Sequence, residues 1–157
     1  MERVVSGRMS AIRTGSPDLV TSAELVVDTE GEGFIEITGE AAAFIEESGV
    51  GEGILLLYLR HTSASLAIQE NADPDVQADL GTALRQLAPN DGPWVHRTEG
   101  RDDMPAHIKS MLTGVSLHVP VRGGRLALGT WQGIYLVEHR ARPHRRELLL
   151  QFIGSRA

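Results

Sequence analysis

The sequence predicts an α+β fold in which two or three short helices interrupt mostly antiparallel strands that pack as a β-sandwich. Two observations support this prediction. Strand-length runs of apolar or alternating residues recur along the chain between Gly-rich turns, and helical periodicity is confined to short stretches. With 157 residues, 41% of them hydrophobic, the chain has the size of one domain, and we assign residues 1–157 to it.

The N-terminal part is predicted to contain two strands and a helix. The strands cover residues 19–27 and 33–38, with a Gly- and Glu-rich turn between them. Thr38 is expected to cap a short helix that ends at Gly49. One face of that helix carries the apolar residues Ala41, Phe44 and Ile45.

The middle of the chain contains the most apolar strand and the clearest helix. Residues 53–60 are almost continuously apolar, which predicts a central strand buried on both faces. Residues 65–70 alternate and predict a second strand. Asp73 and Pro74 are a typical helix start. The apolar stripe of that helix consists of Val76, Leu80, Ala83, Leu84 and Leu87.

After a loop from Pro89 to Asp102, a short helix is predicted from about Met104 to Gly114. Its spacing places four residues on one inward face: Met104, His107, Ile108 and Met111. The remainder is predicted to be β-structure with a turn at Gly123-Gly124. The predicted strands cover residues 115–121, 125–130, 133–139 and 146–153.

Composition excludes several classes of function. A net charge of −6 argues against a nucleic-acid partner, because such binding depends on phosphate neutralisation by Lys and Arg. The absence of cysteine excludes disulfides, thiolate catalysis and cysteine-bound zinc. No apolar run approaches the length that crosses a bilayer, and no signal-peptide pattern is present. We therefore expect a cytoplasmic protein with no membrane partner.

The first chemical candidates follow the buried strand. His61, Thr62 and Ser63 offer an imidazole and two hydroxyls, which suit a site but equally suit the polar end of a strand. Glu70 and Asn71 come just before the helix start and, taken alone, are a weak signal.

A second candidate is the stretch from His96 to His107, which holds two histidines and three carboxylates. An inward His107 is either a satisfied core residue or a functional one. The neighbouring carboxylates Asp102 and Asp103 favour the second interpretation, because they would orient the ring or raise its pKa.

Further candidates lie near the C-terminus. Glycines flank Trp131 and Gln132, so this pair either approaches a ligand or belongs to a turn beside the core. Glu138 is predicted to point inward and to need a partner. The arginines of this region, including Arg140, are either solvated or hold a small anion. A serine mechanism would need Ser63 or Ser65 to meet His107 and Asp103, and no nucleophile-elbow motif marks either serine.

Four blocks of sequence together resemble one family. They are His61-Thr62-Ser63-Ala64, Glu70-Asn71-Ala72-Asp73-Pro74-Asp75-Val76, Glu99-Gly100 with 102–110, and 129–135 with Glu138-His139-Arg140. Their order and spacing resemble the YjbQ-like family, some members of which are described as secondary thiamine-phosphate synthase enzymes. The resemblance covers residues 19–154 and leaves residues 1–18 as a variable N-terminal segment.

The resemblance implies a β-sandwich α+β fold assembled as a homotrimer. It implies one pocket, which could lie at a subunit boundary, where a divalent metal would be held by His61, His96, Asp103 and His107. The implied secondary activity joins an aminopyrimidine diphosphate to a thiazole phosphate and releases pyrophosphate, with the primary role unknown. Carboxylate ligands would favour Mg²⁺, and a His-rich set would favour Zn²⁺.

On this basis we assign roles to the candidates. The catalytic set is His61, Asp103, His107 and Glu138. The substrate-binding set is Thr62, Ser63, Glu70, Asn71, Trp131, Gln132 and Arg140. The alternative to an enzyme is a non-catalytic trimeric module that binds a small anionic metabolite through its arginines.

Overall fold

The computed structural model describes residues 7–157, which form three helices and two antiparallel sheets. The strands are β1 (Leu19–Thr29), β2 (Gly33–Glu36), β3 (Val50–Leu59), β4 (Ala64–Glu70), β5 (Ser116–Arg122), β6 (Arg125–Leu126), β7 (Gln132–Glu138) and β8 (His144–Arg156). The helices are α1 (Thr38–Glu47), α2 (Pro74–Leu87) and α3 (Asp103–Thr113). The predicted α+β class is confirmed. Part of the predicted variable segment, residues 1–6, lies outside the described residues.

The two sheets share one hydrophobic core. The larger sheet has the strand order β1-β8-β3-β5-β6, and the smaller has the order β2-β7-β4. Leu55, Leu57 and Phe152 from the larger sheet are fully buried with Leu66 and Leu136 from the smaller one. The pairing of β4 with β7 places Ala64, at the start of β4, opposite Glu138, at the end of β7.

β3 is buried on one face, not on both as its apolar sequence predicts. Leu55, Leu57 and Leu59 point into the core, whereas Ile54 is 50% exposed and Tyr58 is 45% exposed. The prediction was wrong because the core covers only one side of the larger sheet within a single chain. The opposite side therefore presents apolar side chains to solvent.

The two later helices start as their sequences predict, but α3 buries a different face. Asp73 Oδ1 accepts a hydrogen bond from the backbone N–H of Asp75 at 2.9 Å, and Pro74 is the first residue of α2. In α3, by contrast, Met111 is 80% exposed, while Asp103 and Ser110 are buried. These polar residues can be buried because each has a partner; Ser110, for example, donates to the Ala64 carbonyl at 2.8 Å.

α1 begins without the predicted cap. Its N-cap residue is Ile37, which makes no side-chain capping bond. Thr38 instead donates to Glu36 Oε1 at 2.9 Å and accepts from the backbone N–H of Ile134 at 2.8 Å. The Thr38 hydroxyl thus ties α1 to β7. Within residues 7–157, no helix combines the length and the hydropathy that a membrane span requires.

Candidate metal centre and the groove beside it

Two histidines and a carboxylate converge where α3 begins. The loop before α3 brings His96 back against the helix, and His107 lies one turn after Asp103. Asp103 Oδ2 is 2.7 Å from His96 Nε2 and 3.1 Å from His107 Nε2. One potential ligand atom from each residue lies within 4.8 Å of the other two. These three residues form a group that could hold a metal ion, and we call it the metal centre.

The hydrogen bond at the other side of His107 determines which ring nitrogen is free. His107 Nδ1 is 2.8 Å from the Thr62 carbonyl oxygen. A carbonyl only accepts hydrogen bonds, so Nδ1 carries the proton, and a neutral ring directs the lone pair of Nε2 at Asp103. Two facing lone pairs repel each other. The contact therefore requires either a second proton on His107 or a cation between Nε2 and the carboxylate, and a carbonyl on the far nitrogen is the usual support of a metal-binding histidine.

Arg140 fixes the carboxylate of the metal centre. Arg140 Nη1 donates to Asp103 Oδ1 at 2.6 Å, and its Nε donates to Asp102 Oδ2 at 3.1 Å. Burial alone would raise the pKa of Asp103, which is 1% exposed. The hydrogen bond from His96, the charge of His107 and the Arg140 guanidinium outweigh burial and hold that pKa below its usual range. Asp103 therefore stays ionised with Oδ2 directed at both histidines.

His61 lies beside the metal centre in a shared groove. A groove of about 740 Å³ is lined by His61, Thr62 and His107, with Tyr58 and Met111 at its apolar edge. His61 Nε2 accepts the backbone N–H of Glu147 at 2.9 Å. Among residues 7–157, the convergent group of potential metal ligands does not include His61. Burial, and then the nearby charge of Arg146, lower the pKa of His61.

Glu138 and Arg146 form a buried ion pair under the groove. Glu138 is 0% exposed, and Arg146 Nε donates to its Oε2 at 2.7 Å. Burial would raise the pKa of Glu138, but hydrogen bonds from Arg146, the Arg140 N–H and Thr29 keep it below its usual value. Arg146 Nη2 also donates to Ser63 Oγ at 3.0 Å. Among the described residues Glu138 does not line the groove, and its partner Arg146 contacts Ser63 and lies 3.4 Å from His61 Nδ1.

Comparison with known proteins gives the family of the chain. Residues 23–155 match the family model described as UPF0047 protein YjbQ-like. The chain belongs to the YjbQ-like family. A UPF0047 protein of Synechocystis sp. is 52% identical over 132 residues, which cover 83% of this chain and 90% of that protein. YjbQ of Escherichia coli O157:H7 is 41% identical, with coverage of 83% and 96% respectively.

Solved structures of similar proteins share the fold. A hypothetical protein from Aeropyrum pernix K1 superposes with a TM-score of 0.80 at 32% identity, covering 86% of this chain and 99% of that one. A YjbQ/UPF0047-family protein from Clostridium acetobutylicum superposes with a TM-score of 0.78 at 37% identity, covering 83% and 98%. The two-sheet architecture described above is therefore that of YjbQ-like crystal structures.

The family motifs separate into two groups at opposite ends of the smaller sheet. Ala64 pairs with Glu138 at one end, next to the groove, and Glu70 pairs with Gln132 at the other. The two pairs are six residue steps apart along the strand, or about 20 Å at 3.3 Å per residue. Of the predicted site residues, those in the far group are Glu70, Asn71, Trp131 and Gln132. A single chain does not bring them to the metal centre.

The far group is partly engaged in local contacts. Glu70 Oε2 accepts from the Asp73 N–H at 3.0 Å, Asn71 Nδ2 donates to Glu36 Oε1 at 3.1 Å, and Gln132 Oε1 accepts from the Gly129 N–H at 2.8 Å. Trp131, at 63% exposed, is the exception. Its indole is the feature of this end that remains available to a ligand or to another chain.

Neither candidate serine meets the histidine that a serine mechanism would use. Ser65 Oγ is 2.8 Å from His139 Nε2, and both residues are buried. Ser63 Oγ accepts from Arg146. Within residues 7–157, neither hydroxyl is hydrogen-bonded to His107 or Asp103, so the geometry gives no support to serine hydrolysis.

Arg146 is the site residue that sequence reasoning missed. As one of the C-terminal arginines it is expected either to be solvated or to hold a small anion, yet it is only 3% exposed and pairs with Glu138. A signal was present in the sequence: Leu148, Leu150 and Phe152 alternate along β8 and point into the core. Arg146 is in phase with them, which places it on the inward face.

His139 should make the protein less stable in mild acid. Burial, with help from the charge of Lys109, lowers the pKa of His139 to about 4, whereas in the unfolded chain it is about 6.5. As the pH falls from 6.5 to 4, His139 binds a proton in the unfolded state but stays neutral in the folded state, so the free energy of unfolding decreases. Above pH 6.5 His139 is neutral in both states and does not change the stability. Between pH 7 and 4.5 the loss should be about 2 kcal/mol.

Urea unfolding at a series of pH values measures this effect. His139→Gln should remove that part of the pH dependence, while His118→Gln, a change at an exposed histidine, should leave it intact. Equal pH dependence in the wild type and His139→Gln would contradict the assignment.

Proposed function

We propose that this protein is a metal-assisted enzyme that joins an aminopyrimidine diphosphate to a thiazole phosphate as a secondary activity. In this reaction the thiazole nitrogen forms a bond to the pyrimidine methylene carbon. The carbon–oxygen bond to the diphosphate breaks, and its electron pair leaves with pyrophosphate. The observation that carries the proposal is the convergence of His96, Asp103 and His107 beside an open groove.

The donor set suits a transition metal. Two imidazole nitrogens and one carboxylate oxygen favour Zn²⁺ or a similar ion over Mg²⁺, which prefers oxygen ligands. Three protein ligands are also the number that catalytic zinc sites use, because the fourth position stays open for substrate or water. A bound divalent cation would supply positive charge for the departing pyrophosphate.

Residues of the chain orient the metal ligands and bind the substrate. His107 is held in orientation by the Thr62 carbonyl, and Asp103 by Arg140. His61, with its lowered pKa, is neutral at neutral pH. Arg60, 49% exposed in its side chain, lies on the groove and 3.5 Å from the exposed Glu24, and it is the groove arginine that we assign to a substrate phosphate.

Turnover with and without metal tests the proposal. Pyrophosphate release from the two substrates should require a divalent cation, stop after chelator treatment, and be lost in His96→Ala and His107→Ala. Leu87→Ala, at a 65% exposed residue of α2, is the control. Full activity in both metal-centre variants, or after metal removal, would contradict the proposal.

The alternative, a non-catalytic module for a small anion, relies on free arginines. Arg140 and Arg146 each donate to carboxylates of the same chain and are 5% and 3% exposed. An anion would have to displace those carboxylates to bind Arg140 or Arg146, so a module would have to use exposed arginines such as Arg142 and Arg145 instead. Binding of both substrates without pyrophosphate release would favour the module instead.

The proposed assembly is a homotrimer. The outer side of the larger sheet exposes Ile54 and Tyr58, and Met111 is 80% exposed at the edge of the same groove. Apolar surface at the mouth of an open site is what a second copy would cover.

Light scattering during size-exclusion chromatography measures the assembly. We expect a mass three times that of the 17.0 kDa chain. Ile54→Asp should lower it to that of one chain, because it places a charge on the covered face, whereas Leu87→Asp, at a 65% exposed residue of α2, should not. A monomeric wild type would contradict the proposal.

A further inference from the structure

A second cavity lies on the other side of α3 from the metal centre. It has a volume of about 340 Å³ and is bounded by the turn between β1 and β2, by α2, α3 and the end of β7. Lys109 lines it, two residues after His107, so that the two side chains leave the helix about 200° apart. Its volume is within the range of small-molecule sites, and Phe34, Leu84 and Val137 give it apolar walls.

Lys109 is buried in this cavity without a hydrogen bond to its ammonium group. The residue is 2% exposed, and its nearest carboxylate oxygen, Glu32 Oε2, lies 3.7 Å from Nζ. That distance exceeds the roughly 2.7–3.2 Å of an N–H···O hydrogen bond, and an ammonium has three donors. Among residues 7–157, every fully enclosed side-chain nitrogen has a hydrogen-bond partner. Nζ of Lys109 has none, so it is not fully enclosed and is in contact with the cavity.

The two carboxylates that line the cavity with Lys109 are each paired with an arginine, Glu32 with Arg85 and Glu138 with Arg146. Glu32 directs its other oxygen, Oε1, at Arg85 Nη1, 2.8 Å away at the rim. His139, on the cavity wall, is uncharged at neutral pH because burial and the charge of Lys109 lower its pKa. A buried ammonium is stabilised only by close hydrogen-bonded partners, so this one favours an incoming anion.

We propose that this cavity binds a small molecule carrying a carboxylate or phosphate group on an apolar body. Lys109 is the counterion at its floor, Arg85 contacts the anion at the rim, and the walls of Phe34, Leu84 and Val137 hold the body. Glu32 is the internal carboxylate that the ligand displaces. The site is independent of the metal centre and of the reaction proposed for it.

Calorimetric titration of the full chain with benzoate, and separately with inorganic phosphate, tests the proposal. Lys109→Met should weaken binding roughly 10- to 100-fold, as expected for losing hydrogen bonds to a charged group. Glu32→Gln should tighten it up to about fivefold, because it removes the carboxylate that competes with the ligand for Lys109 and, at the exposed rim, for Arg85. Glu32 lies in a turn with a partly exposed side chain, so this variant should fold normally.

Two controls separate this site from others. Arg13→Gln changes an exposed arginine paired with Glu52 and should leave both affinities unchanged. His107→Ala disrupts the metal centre and should also leave them unchanged. Stronger binding of benzoate than phosphate assigns a carboxylate ligand, and the reverse assigns a phosphate ester. Absence of binding, unchanged binding in Lys109→Met, or weaker binding in Glu32→Gln would overturn the proposal.

Discussion

Arg146→Met should lower the free energy of unfolding by about 3–5 kcal/mol, the usual cost of removing one partner from a buried ion pair. Glu138 is 0% exposed and has its strongest interactions with this guanidinium. Methionine has a similar length but cannot donate, so the carboxylate would stay buried without its cation. Urea unfolding at matched protein concentration measures the loss, because self-association makes stability depend on concentration.

The pH dependence of this variant distinguishes charge from packing. Without Arg146, burial should raise the pKa of Glu138 above its unfolded value. The difference in free energy of unfolding between the wild type and Arg146→Met is then largest above that raised pKa. It becomes smaller as the pH falls through that pKa, because Glu138 is then protonated and uncharged. Glu138→Gln/Arg146→Met should recover much of the loss at neutral pH. If Arg146→Met lowered the free energy of unfolding by less than about 1 kcal/mol, the buried ion pair would not stabilise the fold as described.

Asp103→Asn should weaken Zn²⁺ binding by more than about 100-fold, which is the upper range for changes in residues that only support metal ligands. Its Oδ2 is the oxygen within 3.1 Å of both His96 Nε2 and His107 Nε2. Asparagine preserves the shape and removes the charge. Competition against a chromophoric chelator measures the affinity.

Asp102→Asn is the matched control for that experiment. Asp102 accepts from Arg140 and from the Ala141 N–H and, within residues 7–157, is not hydrogen-bonded to either histidine of the metal centre. Asp102 supports only Arg140, so we expect Asp102→Asn to weaken Zn²⁺ binding by no more than about tenfold. Equal losses in the two variants would place the metal elsewhere.

Local patterns predicted the fold class and the helix start at Asp73-Pro74, because these depend on periodicity and on capping within a few residues. They failed for β3, since an apolar run does not reveal whether a second layer covers the sheet. They also failed for the face of α3: Asp103 is buried because Arg140, 37 residues away in the chain, pairs with it, and no local pattern contains that information.

The candidate site was predictable in composition but not in arrangement. The cluster of His96, Asp103 and His107 is dense enough in sequence to stand out, and the structure brings these three residues together. The placement of His61 beside this group depends on the backbone N–H of Glu147 in a distant strand. The separation of Glu70 and Trp131 from the groove depends on strand register, which short motifs do not specify.

Anomalous diffraction at the zinc absorption edge, from crystals grown with Zn²⁺ and without chelator, tests the metal centre most directly. The predicted result is one peak about 2.0–2.2 Å from His96 Nε2, His107 Nε2 and an oxygen of Asp103, with His107 Nδ1 still bonded to the Thr62 carbonyl. A peak bound by other residues, or no peak while His107 Nε2 remains hydrogen-bonded to Asp103, would contradict the account.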